Sequence, residues 1–209
     1  MKDKKADSGK QTSLFTNSRR KQQAETGGTL AFLHDFVWLM AVALVLFVLC
    51  FRLVVVSGPS MRDTLVDGDY LFLVGNLFFN EPKQGDIVVA CKDTFRDGEP
   101  IVKRVIATEG QTVDIDFGRG IVYVDGVALD EPYTLTPTNL QEGVSFPLIV
   151  DENCVFVMGD NRNDSKDSRC HEIGQIDYRQ ILGKAVFLLF PGNNGDTQPR
   201  DFTRIGVLS

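Results

Sequence analysis

Residues 102–129 read VKRVIATEGQTVDIDFGRGIVYVDGVAL and decide the fold class of this chain. Short runs rich in β-branched and aromatic residues, such as 112–117 and 121–124, alternate with glycine-containing turns, a pattern typical of β-strands. Asp125 and Gly126 separate two of these runs. Both residue types tolerate positive φ, so the pair predicts a tight hairpin. The stretch therefore predicts an antiparallel sheet.

The same strand pattern continues on both sides of this stretch. Further runs are YLFLV (70–74), DIVVA (86–90), VFVM (155–158) and AVFLLF (185–190). No amphipathic helix of convincing length follows residue 57. We therefore predict a mostly β domain over residues 57–209, which is long enough to bury one hydrophobic core.

An uncharged apolar stretch, FVWLMAVALVLFVLCF, covers residues 36–51 and continues after Arg52 as 53–56. A helix of this length is roughly 30 Å long, the thickness of the hydrocarbon core of a bilayer. A cleaved signal peptide is the alternative, but the segment ahead of the stretch is longer than an ordinary n-region. We predict a transmembrane helix anchor over residues 36–56.

Charge differs between the two sides of the apolar stretch. Residues 1–35 carry seven Lys/Arg and four Asp/Glu, a net charge of +3, whereas residues 36–209 carry 15 and 24, a net charge of −9. By the positive-inside rule the basic tail, which we predict to be disordered, is cytoplasmic. The β domain is then extracytoplasmic, in a single-pass protein of the plasma membrane. The net charge of −6 argues against a nucleic-acid partner.

Ser60 lies in SGPSMRDTL (57–65), a bend that follows the apolar stretch. By itself it is an ordinary turn serine. A nucleophilic serine needs a base, and the chain has only two histidines, His34 and His171. His34 precedes the apolar stretch, so a Ser-His-Asp hydrolase could use only His171, and the GxSxG motif is absent. Another base must be considered.

Lys103 lies inside the strand pattern VKRVIAT (102–108). Strand alternation sends Lys103 and Arg104 to opposite faces. On a buried face, desolvation would lower the pKa of the lysine from about 10.4 toward neutrality, so that its amine could accept the proton of Ser60. On the solvated face of an edge strand it would be an ordinary surface lysine. The strand pattern alone leaves both interpretations open.

The segment GDNRNDSKDSR (159–169) predicts a polar loop. Its oxygen donors raise the possibility of a calcium site. The spacing differs from that of an EF-hand loop, and three basic residues stand among the donors. The four cysteines form no CxxC pair, although pairing of Cys154 with Cys170 stays open. We predict no metal site.

Taken in order, four segments resemble the motifs of type I signal peptidases, a family of membrane-anchored Ser/Lys proteases. They are SGPSMRDTL (57–65), GDIVV (85–89), VKRVIATEG (102–110) and GDNRNDSKDSR (159–169). The resemblance covers residues from about 36 to 190, and the apolar stretch fits the family's anchor. It implies an enzyme that removes signal peptides from exported preproteins.

The resemblance also implies roles for individual residues. Ser60 corresponds to the nucleophile and Lys103 to the general base. Ser165 corresponds to a serine that orients the lysine amine. Asp167 and Arg169 correspond to an ion pair that shapes the loop over residues 159–169, the final loop. No cofactor and no metal are implied. The partners are signal peptides and the lipid bilayer, and we expect a monomer.

Two positions depart from the family pattern. The Ser60 N–H would supply one oxyanion donor, but Gly58 stands where some members have a serine whose hydroxyl is the second donor. Asp63 replaces the usual proline and adds a carboxylate that would raise the pKa of Lys103 if it lay within a few ångström. The second oxyanion donor would therefore have to be a backbone group or a water molecule. Gly58 is a supporting position.

The family's substrates carry small side chains one and three residues before the cleaved bond and dock as an added strand. Met61, Leu65 and Val102 match positions near the pockets that receive these side chains. Two alternatives stay open. One is a self-cleaving Ser/Lys protease of the SOS-repressor type, which lacks an anchor; the other is an inactive, membrane-tethered β domain that only binds exported chains.

Overall fold

The structure is a computed structural model that describes residues 28, 30–48, 51–75, 78–79, 81–193 and 199–208. The chain divides into two compact units, residues 1–48 and 49–209. Most of the tail that we predict to be disordered, residues 1–27, lies outside the described residues, as does Cys50.

The described part of the first unit is a helix, α1, over Leu30–Val48. Its 19 residues are highly apolar and exposed, and at about 1.5 Å per residue the helix is long enough to cross a hydrocarbon core. The helix begins earlier than the predicted 36–56 segment and ends earlier too. An apolar helix of suitable length is therefore present, but its bounds differ from those of the predicted anchor.

Phe51–Val55, which we expected to continue the helix, instead form the first strand, β1. They pair antiparallel with β2 (Tyr70–Gly75), with Val55 opposite Tyr70. The β-branched Val54 and Val55 suit a strand, and pairing with β2 satisfies backbone groups that a helix would satisfy internally. Apolar composition alone could not locate this change from helix to strand.

The second unit is mostly antiparallel β-structure, which confirms the predicted fold class. After β1 and β2, its strands are β3 (Ile87–Cys91), β4 (Pro100–Thr108), β5 (Thr112–Asp116), β6 (Ile121–Val124), β7 (Val127–Ala128), β8 (Leu148–Ile149), β9 (Cys154–Met158), β10 (Ile176–Asp177), β11 (Ile181–Phe190) and β12 (Gly206–Val207). Short 3-10 helices cover Arg96–Gly98, Tyr178–Gln180 and Phe202–Arg204.

The strands form two sheets within the described residues. The larger sheet has the order β1-β2-β11-β3-β4-β9-β10, and β12 also pairs with β11. The smaller sheet has the order β7-β6-β5-β8. Asp125 and Gly126 connect β6 to β7 with φ values of +53° and +78°, which confirms the predicted tight hairpin.

The strand β4 is an internal strand of the larger sheet, between β3 and β9. Every residue from Ile101 to Ala107 is buried, so both faces of the strand are covered. Ile101 and Val105 pack in one hydrophobic cluster, and Val102 packs in another. A charged residue on this strand is therefore taken out of water, whichever face it occupies.

Candidate active site

Ser60 lies in the connection between β1 and β2, at the start of a single helical turn. The Leu65 N–H donates to the Met61 carbonyl oxygen at 2.8 Å, and both side chains are fully buried. Gly58 has a φ of +90°, a conformation that favours glycine. The buried Met61 and Leu65 anchor the turn in the core, and Gly58 bends the chain that leads to Ser60.

Lys103 projects from β4 to Ser60. Its Nζ donates to Ser60 Oγ at 2.7 Å and to the Val102 carbonyl oxygen at 3.0 Å. The Lys103 side chain is only 4% exposed. The alternative of a solvated lysine on an edge strand is therefore excluded, and the two residues that the resemblance singled out lie in hydrogen-bond contact.

The final loop contributes a buried ion pair next to this dyad. Arg169 donates to both carboxylate oxygens of Asp167, through Nε and through one terminal nitrogen, each at 2.8 Å. Ser165 Oγ donates to Asp167 Oδ2 at 2.9 Å. The expected Asp167–Arg169 pair is present, and it also fixes the hydroxyl of Ser165. The expected bond between Ser165 and the lysine amine stays a prediction.

The final loop also contacts the backbone of residues 57–65, the Ser60 turn. The Asn161 N–H donates to the Ser60 carbonyl oxygen at 3.1 Å, and Asn161 Nδ2 donates to the Pro59 carbonyl oxygen at 3.2 Å. Gly159 permits this approach, because a Cβ at that position would lie 2.4 Å from the Ser60 carbonyl oxygen. These contacts fix Ser60 relative to the loop that carries Ser165.

Asp160 is a site residue that sequence reasoning missed. It is fully buried and accepts from Arg104 through Nε and a terminal nitrogen, each at 2.9 Å. The Thr64 hydroxyl donates to the same carboxylate at 2.5 Å, and Arg104 also donates to the Gly85 carbonyl oxygen at 2.9 Å. The sequence held one signal, since an arginine inside a buried strand requires a carboxylate partner.

A cavity of about 370 Å³ adjoins the dyad. Its walls come from the Ser60 turn, the start of β4, the segment before β8 and the final loop. Besides Ser60, Lys103 and Ser165, it is lined by Val55, Val56, Ser57, Gly58, Pro59, Phe95, Glu99, Pro100, Ile101, Val102, Leu140, Glu142, Asn163, Asp164 and Lys166. The cavity is mixed, because apolar residues of β1 and β4 line it together with charged residues such as Glu142 and Lys166.

The three expected pocket residues have different positions. Val102 lines the cavity. Met61 and Leu65 do not; they lie in the hydrophobic cluster that contains Val102 and Val56. A direct contact of Met61 or Leu65 with substrate therefore stays a prediction, whereas Val102 is positioned for one.

Gly58 and Asp63 are the two positions that depart from the family pattern. The Gly58 N–H donates to Asp67 Oδ1 at 2.7 Å, so it is not available to an oxyanion in this conformation. Asp63 is exposed. Its expected effect on the pKa of Lys103 stays a prediction.

His171 does not line the cavity of Ser60. It lines a separate surface depression together with Cys154. This separation argues against a Ser-His-Asp arrangement around Ser60. Cys91, Cys154 and Cys170 are free thiols, so the pairing of Cys154 with Cys170 that the sequence left open is not formed.

Two carboxylates of the final loop bind arginines. Asp160 binds Arg104 and Asp167 binds Arg169. Among the described residues, no group of three or more His, Cys, Asp or Glu side chains is arranged to hold a metal ion. The site brings a serine hydroxyl and a buried lysine amine together.

Sequence comparison relates this chain to a known family of proteins. The family model described as signal peptidase, peptidase S26, matches residues 29–190. A probable signal peptidase I-1 of Synechocystis sp. is 37% identical over 174 residues, which cover 78% of this chain and 85% of that protein. Signal peptidase I T of Bacillus subtilis is 33% identical over 186 residues, 85% of this chain and 94% of that protein.

A solved structure is similar as well. The crystal structure of a signal peptidase I from Enterococcus faecalis is 28% identical, covers 50% of this chain and 97% of its own, and has a TM-score of 0.41. The family model covers more than half of the chain, and the curated relatives exceed 30% identity over most of it. The chain therefore belongs to the signal peptidase family, peptidase S26.

Proposed function

We propose that this protein is a membrane-anchored serine endopeptidase that cleaves the signal peptides of exported preproteins with a Ser60–Lys103 dyad. One observation carries the proposal: Lys103 Nζ lies 2.7 Å from Ser60 Oγ, and the lysine is buried. An amine can act as the base for a serine only when it is neutral, and burial favours the neutral form. Membership of the family supplies the substrate class.

The reaction is an acyl transfer in two halves. Neutral Lys103 Nζ accepts the hydroxyl proton of Ser60 while Oγ attacks the scissile carbonyl carbon. The resulting ammonium gives this proton to the leaving amine as the C–N bond breaks, which leaves the signal peptide as an ester on Ser60. The amine then takes a proton from water, whose oxygen attacks the ester, and returns a proton to Oγ. No cofactor or metal takes part.

The negative charge that develops on the carbonyl oxygen needs donors. We propose the Ser60 N–H as one of them, because no group in the described part of the chain accepts it. Such a donor is typically worth about 2.7 to 4 kcal/mol in the transition state. The second donor is not the Gly58 N–H while that group donates to Asp67.

Ser165, Asp167 and Arg169 act as supporting residues in this proposal. The Ser165 proton is committed to Asp167, so the lone pairs of its oxygen remain as acceptors for the lysine amine. The Asp167–Arg169 pair holds Asp167, and through it Ser165, in place. The dyad would thus be oriented from the final loop.

The substrate is proposed to be an extended segment with small side chains one and three residues before the cleaved bond. The cavity of about 370 Å³ is near the small end of the usual size for ligand sites. Val56, Ile101 and Val102 give it an apolar wall that suits short side chains. We propose that Met61 and Leu65 act on the pocket through their packing with Val102.

The anchor and the orientation complete the proposal. The helix α1 has the length and hydropathy to span a bilayer, and seven Lys/Arg precede it. We propose a single-pass, monomeric protein of the plasma membrane with a cytoplasmic N-terminus. The catalytic unit would then stand outside, on the side where signal peptides emerge.

The test is cleavage of an exported precursor with an Ala-x-Ala site by the full-length protein in detergent. Ser60→Ala and Lys103→Met should each lower kcat/KM by at least about 1,000-fold, because each removes one member of a unit that acts together. Neither variant adds bulk, so both should fold, which circular dichroism and thermal unfolding would verify.

Two substitutions provide matched controls. Ser145→Ala and Lys83→Met change exposed residues of the same types away from the cavity. Both should cleave at the wild-type rate. A folded Lys103→Met protein that still cleaves would point to another base, and a folded wild type without activity would favour the alternative of a binding domain.

A further inference from the structure

Glu142 places a buried carboxylate in the wall of the cavity that holds Ser60 and Lys103. Its side chain is 5% exposed. Oε1 lies 3.3 Å from Lys166 Nζ. Oε2 is buried, and no protein group in the described ranges donates a hydrogen bond to it. One oxygen of this carboxylate is therefore without a donor from the described residues.

The backbone around Glu142 is fixed by the final loop. The Leu140 carbonyl oxygen accepts from a terminal nitrogen of Arg169 at 3.0 Å, and the Val144 N–H donates to the Arg169 carbonyl oxygen at 3.0 Å. Gly143 forms an antiparallel bridge with Cys170. Glu142 is thus flanked on both sides by bonds to the loop that supports the dyad, which limits how far its backbone can relax.

Lys166 satisfies only half of the Glu142 carboxylate. The Lys166 side chain is 57% exposed, so its contact with Glu142 Oε1 is a surface-type ion pair. The charge of Glu142, and its hydrogen bond, raise the pKa of Lys166, which keeps the ammonium charged. Lys166 therefore pairs with Oε1 and, among the described residues, leaves Oε2 without a donor.

A buried polar atom without a partner is unfavourable, and folded proteins retain few of them. Glu142 Oε2 is such an atom, and its side chain lines the cavity of the proposed catalytic serine, where a substrate must bind. A peptide in an extended conformation brings N–H groups with it, and these need acceptors when they leave water. The unsatisfied oxygen and the incoming donor are complementary.

We propose that Glu142 Oε2 accepts a hydrogen bond from an N–H group of the bound peptide, close to the cleaved bond, while Lys166 stays paired with Oε1. The inference rests on the proposed function and makes Glu142 a substrate-binding residue. The donor is either a main-chain amide of the peptide or the side chain of a lysine or arginine within it. The experiment distinguishes these two sources.

Glu142→Gln is the informative substitution because it keeps the shape of the side chain. The Lys166 ammonium will attract the amide oxygen, so the amide NH₂ will face the position of Oε2 and oppose the peptide N–H. We expect kcat/KM to fall about 10-fold to 100-fold, mainly through KM, as for a lost hydrogen bond to a charged group. In Glu142→Gln/Lys166→Met the amide is free to turn its oxygen to the peptide, and part of the loss should be recovered.

Folding stability separates a binding role from a structural one. Glu142→Gln removes a buried charge with an unsatisfied oxygen, so the urea midpoint should be unchanged or higher. If Glu142 were merely structural, stability and activity would fall together, and the second substitution would recover neither.

Two kinds of peptide identify the donor. The first has an Ala-x-Ala site and neutral side chains around the cleaved bond; those of the second kind carry a single lysine at successive positions there. A loss with the neutral peptide assigns a main-chain donor, and a loss confined to one lysine position assigns a side-chain donor. Equal kcat/KM for wild type and Glu142→Gln on every peptide would overturn the inference.

Binding of the same peptides to full-length Ser60→Ala keeps this test separate from the proposed function. Affinity should fall when Glu142→Gln is added to Ser60→Ala, whether or not the wild type cleaves. Absence of cleavage by the wild type would reject the proposed function alone. Unchanged affinity would reject the role of Glu142.

Discussion

Gly159 is the residue at which the final loop meets Ser60, and it leaves no room for a side chain. A Cβ there would lie 2.2 Å from Ser165 Oγ and 2.4 Å from the Ser60 carbonyl oxygen. Gly159→Ala must therefore displace Ser60 or Ser165, and a displacement of about 1 Å is enough to lower a rate roughly 100-fold. We expect a loss of this size in kcat/KM for an Ala-x-Ala precursor.

Two other glycines provide controls for this substitution. Gly183→Ala, on β11, would bring a Cβ within 2.4 Å of the Val74 carbonyl oxygen, away from the cavity, and Gly206→Ala would meet no atom within 4 Å. Gly183→Ala should lower stability without changing the activity of the folded fraction, and Gly206→Ala should change neither. The positional explanation fails if Gly159→Ala loses activity only in proportion to its folded fraction.

At the level of residues, the site residues that belong to a short motif could be predicted from the sequence. Residues that reach the site only through tertiary contacts could not. Ser60 and Lys103 were identified through short motifs, and their contact follows from the internal position of β4. Glu142 belongs to none of the four segments, and its burial depends on bonds between its loop and Arg169. No local pattern of residues could indicate those bonds.

Among the elements of the second unit, the buried pair of Arg104 and Asp160 connects parts of the site. Arg104 belongs to β4 and Asp160 to the final loop. The Thr64 hydroxyl, in the Ser60 turn, donates to the same carboxylate. Asp160→Asn would leave the Arg104 guanidinium buried without this carboxylate. We expect the free energy of unfolding to fall by about 3 to 5 kcal/mol, measured by urea denaturation.

The matched comparison is an ion pair at the surface. Arg179 is 89% exposed in its pair with Asp177, so Arg179→Gln should cost less than about 1 kcal/mol. Similar small losses for both substitutions would show that Asp160 does not hold these elements together.

The strands differed in how well they could be predicted, for a physical reason. Those with four or more residues and a glycine-containing turn nearby, such as β5 and β6, carry a readable pattern. The two-residue strands β8 and β10 are too short to show a period. The strand β1 was mistaken for helix because its composition continues that of α1, and only its pairing with β2 distinguishes it.

Over the whole molecule, the order of tail, anchor and β domain follows from composition, whereas the boundaries depend on pairing. The apolar stretch predicted a helix of spanning length, and α1 has it. Composition did not locate the end of that helix at Val48, because β1 continues the apolar stretch. Orientation in a membrane is a further property, which the charges flanking the helix predict and which can be measured.

The orientation prediction uses the charge difference across α1. The tail before residue 36 has a net charge of +3 and the remainder has −9, so the tail should stay in the cytoplasm. Protease added to spheroplasts should digest the catalytic unit and leave a protected fragment that contains residues 1–48. After lysis, both parts should be digested.

Replacing the seven Lys/Arg of the tail with glutamine should increase the share of chains in the opposite orientation, because the positive charges that retain the tail are gone. A protected catalytic unit with a digested tail in the wild type would reverse the proposed topology. Extraction of the intact chain by alkaline carbonate would show that α1 does not span the membrane at all.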